Sequence, residues 1–386
     1  MPARDIAIVA GYFARCPLGG YAWQVLHYVL GFEELGFETY FYEDTALYPD
    51  CFDPVSGNVP APCHRGVDTL GTFFSAHGLS ERWSFWDAST NRWFGRDSET
   101  MQSVVQSARL VVTLAPVTRL PWFTKALRVF IDLDPGYTQF RLVQGDSALR
   151  QFLNEHRRHF SIGEHIGRPS CTVPTGSFEW LPTRQPIITR LWKTDPPSPD
   201  APFTTVGRWH EERRNIVTPD QRYGWSKREE WQRFLHLPRL APGPFLLAMD
   251  VAKYPHDYDL LRRHGWEIVD PLLISADPFR YRQFLWTSAG EFTTAKDLNV
   301  RLRTGWFSDR SACYLAAGRP VVTQPTGFEE LYPVGRGLFA VDTPEAAAKA
   351  IRDIRSASAE HSRAAVEIAA QYFEAQSVLQ ELVGRL

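Results

Sequence analysis

The chain is poor in cysteine. Its five, Cys16, Cys51, Cys63, Cys171 and Cys313, are odd in number, widely scattered, and form no C-x-x-C pair. That pattern excludes a disulfide framework and a zinc cluster, and implies buried free thiols in a reducing cytoplasm. An excess of either charge is also missing: 42 Lys and Arg stand against 44 Asp and Glu, a net charge of −2. No basic tail supplies the electrostatic footprint that a nucleic-acid partner requires. Long apolar runs are absent, and none approaches the ~20 residues that cross a bilayer. The opening "MPARDIAIVAGYFARCPLGG" has a short apolar run entering a glycine loop, which is not the build of a signal peptide. No internal repeat or low-complexity tract stands out.

What is present describes a soluble globular protein, with 44% hydrophobic and 22% charged residues. At 386 residues, two domains are expected. Aromatics are plentiful, at 13 Trp, 14 Tyr and 25 Phe. Most belong in cores, and the remainder suits a pocket lined by flat faces with polar edges. Residues 5–10 form an apolar run of strand length. Val25, Leu26, Val29, Leu30 and Leu35 then recur at helical spacing, Gly36 stands where a helix C-terminal glycine belongs, and 37–42 reads as a second strand.

This β-α-β opening implies a parallel sheet with a right-handed crossover. Residues 109–114, 127–132 and "RHFSIG" extend it, whereas 50–96 has no clean period and reads as loop and short helix. "KTDPPSPDAP" (193–202) is the strongest linker signal, because its prolines favour extended, poorly packed backbone. After it the alternation restarts with "FTTVGRW" and "PFLLAMD", and it ends in a long amphipathic helix over 359–386. The pattern predicts an α/β protein with two doubly wound Rossmann-like domains facing a cleft. Ligands then belong at the loops off the carboxyl ends of the strands.

The stretch "SACYLAAGRPVVTQPTGFEEL" (311–331) compresses a helix, a stop at Gly318, a buried strand and a tight turn. Ser308 or Asp309 is placed to cap the helix, and another helix is expected from Glu329. Gly327 permits a positive φ or a close approach of backbone to ligand. Two helix N-termini aimed at one cleft would make an anion site suited to a diphosphate. Many such joints in α/β domains bind nothing.

This unit resembles the C-terminal donor domain of two-Rossmann-domain (GT-B) nucleotide-sugar glycosyltransferases, which show a small-residue helix, "GxPVV" and a glycine turn at this point. "VGRW" (206–209) is similar to the strand that opens that domain, and "GLFAVDTPEAAAKAI" to its final strand and helix. Gly19 and Gly20 resemble the glycine loop after the family's first strand. The resemblance implies a GT-B-like fold with an acceptor-binding domain over 1–196 and a nucleotide-sugar-binding domain over 197–365. The terminal helix, 366–386, would cross back onto the first domain.

The implied activity moves a hexosyl or deoxysugar group from a nucleotide-diphosphate sugar to a small-molecule or saccharide acceptor. It would use no metal and no cofactor, in the cytoplasm, as a monomer or homodimer, with no nucleic-acid partner and no membrane span. One departure stands out. Many retaining members carry two glutamates eight residues apart around this helix, and the matching positions here are Gly305 and Cys313. Donor contacts and stereochemistry therefore do not carry over.

Transfer requires the leaving diphosphate's charge to be neutralised as the anomeric bond breaks, a task for basic groups and helix ends. Arg208 matches the family's strand-end arginine and is assigned to the diphosphate. Lys296, Arg303 and Arg310 are further donor candidates, with the helix start Ser308, Asp309 and Ser311 and the turn Thr326, Gly327, Phe328 and Glu329. Trp306 and Phe328 are candidates to sandwich a base or sugar. A solvated surface charge is the commoner fate of Lys and Arg.

In the first half, Asp132 and Asp134 share one face at the end of an apolar strand. Either suits a general base for the acceptor hydroxyl, although Asp134 also suits the start of a "DPG" turn. The D-x-D metal motif of single-Rossmann glycosyltransferases is set aside, because the donor features lie in the other half. Glu164 and His165 in "SIGEHIG" are further catalytic candidates in a glycine-bounded loop. Two alternatives share the architecture: a non-hydrolysing nucleotide-sugar epimerase, and a non-catalytic nucleotide-sugar-binding pseudoenzyme. An NAD-dependent oxidoreductase is disfavoured, since "GYFARCPLGG" lacks G-x-G-x-x-G.

Overall fold

A computed structural model describes residues 4–211 and 213–386. Two separate parallel sheets organise the chain. The first uses β1 (Ile6–Ala10), β2 (Glu38–Asp44), a β3–β4 hairpin set apart (Cys51–Asp53, Asn58–Ala61), β5 (Trp83–Asp87), β6 (Arg92–Gly95), β7 (Ala108–Leu114), β8 (Leu127–Asp132), β9 (Arg158–Ser161) and β10 (Leu181–Pro182). Its spatial order is β10-β9-β8-β7-β1-β2-β5-β6. All neighbours are parallel except β5 and β6.

The second sheet uses β11 (Phe203–Gly207), β14 (Phe245–Met249), β15 (Trp266–Val269), β16 (Gly290–Thr293), β17 (Val321–Thr323) and β18 (Leu338–Ala340). Its order is β15-β14-β11-β16-β17-β18, wholly parallel, with a small β12–β13 hairpin (Ile216–Val217, Arg222–Tyr223) outside it. Strands such as "IAIVA" and "VVT" are apolar at every position because helices cover both faces of such a sheet.

Helix α1 (Gly19–Glu34) follows β1 and ends as its glycine signal predicts. Gly36 takes φ +91°, its N–H donates to the Glu33 carbonyl, and that of Phe37 donates to the Phe32 carbonyl. At its other end α1 meets the second half: a Cβ on Gly19 would come within 2.3 Å of Tyr281 in the helix Pro278–Trp286. Gly19 is thus small to let two helices approach.

Several sequence expectations change. Within 50–96 the chain forms α2 (His64–Ser75), β5 and the edge strand β6. The helix was masked by Gly66 and Gly71. Gly66 is needed because a Cβ there would strike the Ala14 carbonyl oxygen at 1.8 Å. The cysteines are not all free thiols: Cys51 and Cys63 form a disulfide that ties the β3–β4 hairpin to the start of α2.

The terminal helix is broken. Ser358–Tyr372 packs on the helix Asp309–Ala316, and only Ala375–Val383 reaches α1, so the crossing lies near 374 rather than 366. There the Ile187 N–H donates to the Phe373 carbonyl at 2.7 Å, and the Ala375 N–H to the Ile187 carbonyl at 2.9 Å. The proline-rich segment is not loose either. Buried Arg319 donates to the carbonyls of Asp195 and Trp286, and Arg355 to those of Pro199 and Ala201.

Candidate functional site

The carboxyl ends of both sheets point loops into one cleft. From the first sheet, the β1–α1 loop is shaped by Glu43, at the end of β2. This fully buried carboxylate accepts the backbone N–H groups of Phe13, Ala14 and Arg15 at 2.7–2.9 Å. Where a Rossmann loop would cradle a phosphate, the protein has placed its own anion. The loop so held presents Tyr12, whose ring lies 4.6 Å from that of Tyr21 on α1. Beside them, burial pushes the Cys16 thiol up to about 12 despite the Arg208 charge.

Beyond β8, Asp134 reaches across the cleft to Arg214 at 2.6 Å and Lys296 at 3.7 Å. Arg214 packs against the adjoining rings of Tyr137 and Trp225, 4.2 and 4.3 Å from their centroids. The Lys296 ammonium sits 3.2 Å from the Trp225 centroid, a cation–π contact. Burial works to raise the Asp134 pKa, and the adjoining Lys296 and Arg214 charges overcome it, leaving the carboxyl below its ordinary value. Burial draws Lys296 down to about 8 even with Asp134 alongside. Lys227 is pushed well below an ordinary lysine, first by burial and then by Arg310. Its ammonium makes one long contact, 3.4 Å to the Thr293 hydroxyl.

The helix Asp309–Ala316 opens onto the same space, with Ser308 at its N-cap and no side chain capping it. Beside it, Thr293, Trp306, Phe307, Ser308, Ser311 and Thr326 help line a recess of about 210 Å³. Arg208, two-thirds exposed, pairs with Glu211 at 2.6 Å at the end of β11. The cleft therefore holds Arg208, Arg214, Lys227 and Lys296 near an open helix N-terminus.

Other candidates serve different purposes. Asp132 is fully buried and both oxygens are taken, by the Asp134 N–H and the Thr138 hydroxyl on one side, Gln139 and Ser161 on the other. It braces the turn that carries Asp134, and no lone pair is left for an acceptor proton. Glu164 is held by Arg184 at 3.0 and 3.1 Å and by the Tyr332 hydroxyl. His165 is buried against the Arg303 carbonyl at 3.1 Å. Both fasten the halves together, in a loop that also bridges to Trp306 of the recess.

The 327 turn also departs from expectation. Gly327 takes φ +99°, and what approaches its backbone is His165, whose Nδ1 lies 2.7 Å from a Cβ built there. A single 3₁₀ turn, Phe328–Glu330, replaces the expected second helix, and Glu329 accepts the Gly327 N–H at 2.9 Å. Glu329 also pairs with Arg303, removing both from an anion site. Phe328 is fully buried among Phe307 and Tyr332. Arg310 is spent on Glu291, the Val206 carbonyl and the Thr293 hydroxyl. Gly20 lies 3.9 Å from the Tyr281 hydroxyl when a Cβ is added, again beside the helix contact.

Tyr12, Tyr21, Arg214, Trp225 and Lys227 escaped the sequence reading. "GYF" directly after the first strand was a usable signal for Tyr12. Arg214 and Lys227 lie in the irregular segment around β12 and β13, where no period marks them.

Solved structures share this arrangement over nearly the whole chain. Anabaena Alr3699/HepE in complex with UDP-glucose superposes with a TM-score of 0.57 at 11% identity, covering 98% of both chains. An alpha-glucosyltransferase in complex with UDP-glucose and DNA containing an abasic site gives 0.55 at 12% identity over 99% of both. This chain has the GT-B fold. Sucrose-phosphate synthase from Thermosynechococcus elongatus matches the same fold, at 0.53 and 11% identity over 99% of this chain and 98% of that one. No family model matches the sequence. Two curated relatives from Vibrio cholerae serotype O1 strains, both named glucans biosynthesis glucosyltransferase H, are 24% identical over 182 residues. That match takes in 47% of this GT-B chain and spans only about a quarter of the relatives' length.

Proposed function

We propose that the protein is a glycosyltransferase that moves a sugar from a nucleoside-diphosphate donor to an acceptor hydroxyl, with UDP-glucose the first donor to test. The observation that carries this reading is the grouping of Lys227 and Lys296, which act on each other's charge, with Arg310 in the first turn of the helix Asp309–Ala316, and with Arg208 exposed at the end of β11. Lys227 makes no salt bridge among the described residues, so a diphosphate would supply its counter-charge. Similarity to proteins solved with UDP and UDP-glucose favours that ligand class.

In the proposed reaction the acceptor oxygen attacks the anomeric carbon and the bond to the diphosphate breaks. Negative charge grows on the leaving oxygen, where Lys227, Lys296 and the helix amides lower its energy. We assign this role to the protein's own cations rather than to a metal ion. Asp134, at the end of β8 and facing Tyr12 and Tyr21, accepts the acceptor's proton. The acceptor belongs with the first sheet and the donor with the second.

As described, the cleft is shut. Only about 10 Å³ of the recess is open to a water-sized sphere, room for one water and far too little for a nucleotide sugar, and elsewhere in the cleft Asp134 bridges to Arg214 and Lys296. Donor binding therefore parts Asp134 from Arg214 and Lys296, and closure then excludes water. No described helix is long and apolar enough to cross a membrane. The Cys51–Cys63 disulfide removes the thiol argument for a reducing compartment, so the cytoplasm stands as a proposal that fractionation of cells producing the protein checks directly.

Calorimetry with UDP tests the donor site. Lys227→Ala and Arg208→Ala should each weaken binding by about tenfold or more, the weight of one charge-assisted contact. Unchanged affinity in both variants removes the assignment. Product analysis with UDP-glucose and an acceptor then separates transfer from epimerisation and reads the anomeric outcome.

A further inference from the structure

At the far edge of the first sheet, Trp86 at the end of β5 and Trp93 on β6 sit opposite one another in register. Their rings stack at 5.6 Å with planes 10° apart. Trp122, from the loop after β7, stacks on Trp93 in turn at 5.3 Å and 29°. All three are half-buried, and the adjoining Phe123 is 80% exposed. Tyr42, fully buried, backs the stack at 5.9 Å from Trp122. Three indoles held face to face at a surface are an unusual use of a residue that ordinarily goes inside.

The polar groups around the stack narrow what it fits. Trp86 donates to Asn91 at 3.1 Å, while among the described residues the indole N–H groups of Trp93 and Trp122 meet no acceptor. The turn that joins the two strands reads "DASTNR": one carboxylate, one guanidinium, and three neutral hydroxyl or amide side chains. The turn thus carries no net charge, and Lys125 is the one ionisable side chain within two residues of Trp122 or Phe123. Flat apolar faces, free N–H donors and a neutral hydroxyl-rich rim complement a pyranose, which is apolar across its C–H face and polar around its edge.

Position adds a second argument. β5, β2, β1, β7 and β8 are parallel neighbours, so Trp86 lies on the same carboxyl edge as Tyr12 and Asp134. Four strand spacings of about 4.8 Å separate β5 from β8, roughly 19 Å. That is several sugar residues long. We propose that the Trp86–Trp93–Trp122 stack is a binding platform for an oligosaccharide acceptor, holding the chain at a distance while its end reaches the cleft. The proposal rests on the transferase reading for its purpose, not for its binding.

The test titrates cellohexaose, maltohexaose and laminarihexaose into the intact protein by calorimetry, with UDP titrated separately. At least one hexasaccharide should bind, and Trp86→Ala and Trp122→Ala should each weaken it about tenfold, as loss of one aromatic anchor does. UDP affinity and the far-ultraviolet dichroism should stay unchanged, and Trp122→Tyr should recover part of the loss. The platform is overturned if no hexasaccharide saturates below roughly 10 mM, or if both alanine variants bind as the parent does. It is equally overturned if phosphatidylcholine–phosphatidylglycerol vesicles capture the protein through Trp122. Hexasaccharide binding with no UDP binding leaves the platform and removes the transferase; the reverse result does the opposite.

Discussion

At the scale of single residues, two aspartates two positions apart have been given unlike work. Asp132 lies inside a cage of four donors, and Asp134 lies in the cleft between two cations. Asp132→Asn should lower stability by about 1–3 kcal/mol in denaturant unfolding, since the amide cannot accept what the carboxylate accepted. Asp134→Asn takes the shared partner from Arg214 and Lys296, so it should lower the midpoint by a smaller amount, and it should cut turnover about a hundredfold or more. Equal loss of turnover from mild substitution at both sites counts against the division.

Lys296 makes the cleft sensitive to alkali. Its folded value near 8 lies below the ordinary 10.5, so between those values the unfolded chain binds more protons and this group's contribution to stability rises with pH. Binding runs the other way. As the ammonium discharges above about pH 8, UDP affinity should fall, and Lys296→Arg, which stays charged, should flatten that decline. Affinity measured from pH 7 to 9.5 checks both. The sequence offered Lys296 as a donor candidate and Asp134 as a candidate base. It did not reveal that they touch, because each comes from a different sheet.

At the scale of elements, the helix Asp309–Ala316 is anchored to the sheet by Glu291. That carboxylate, fully buried on β16, accepts from Arg310, Ser311 and Thr205. Glu291→Ala leaves Arg310 buried without its partner and should destabilise the protein by about 3–5 kcal/mol. Its expected signature is a lowered unfolding midpoint with UDP binding lost in parallel. The helix, the Gly318 stop and the "RPVVT" strand were all legible, because apolar spacing and a glycine break are local signals. The turn after them was not. "GFEE" has the makings of a helix start, and only the approach of His165 from the other half shows why the chain stops at a single 3₁₀ turn. Strands β5 and β6 escaped for a related reason, since Trp86 and Trp93 face a stack instead of alternating between core and solvent.

At the scale of the whole molecule, the loop 163–166 fastens the two halves together. Gly305 and Gly327 leave room for His165, and Tyr332 reaches Glu164. Gly327→Ala forces a side chain into a left-handed backbone and against His165, so this fastening should loosen. Amide exchange should quicken at 163–166 and 303–306 while the central strands of both sheets keep their protection. Exchange that stays slow at both loops rules out the fastening role. Composition and β/α alternation carried the architecture this far. The faces through which the halves meet were invisible, because Glu164 and His165 look the same whether they meet a substrate or a neighbouring domain.

The guanidinium clasps on the proline-rich segment change how such a molecule can move. Arg319 and Arg355 bolt residues 195–201 to the second sheet's own framework, so that stretch rides with its body as cargo. Flexing must then concentrate upstream, where the chain passes Ile187 and returns at Glu374, two backbones side by side joined by a pair of backbone hydrogen bonds. A two-railed pivot swings about one axis and resists shear. Each opening should therefore retrace a single arc, returning acceptor and donor to the same alignment turnover after turnover.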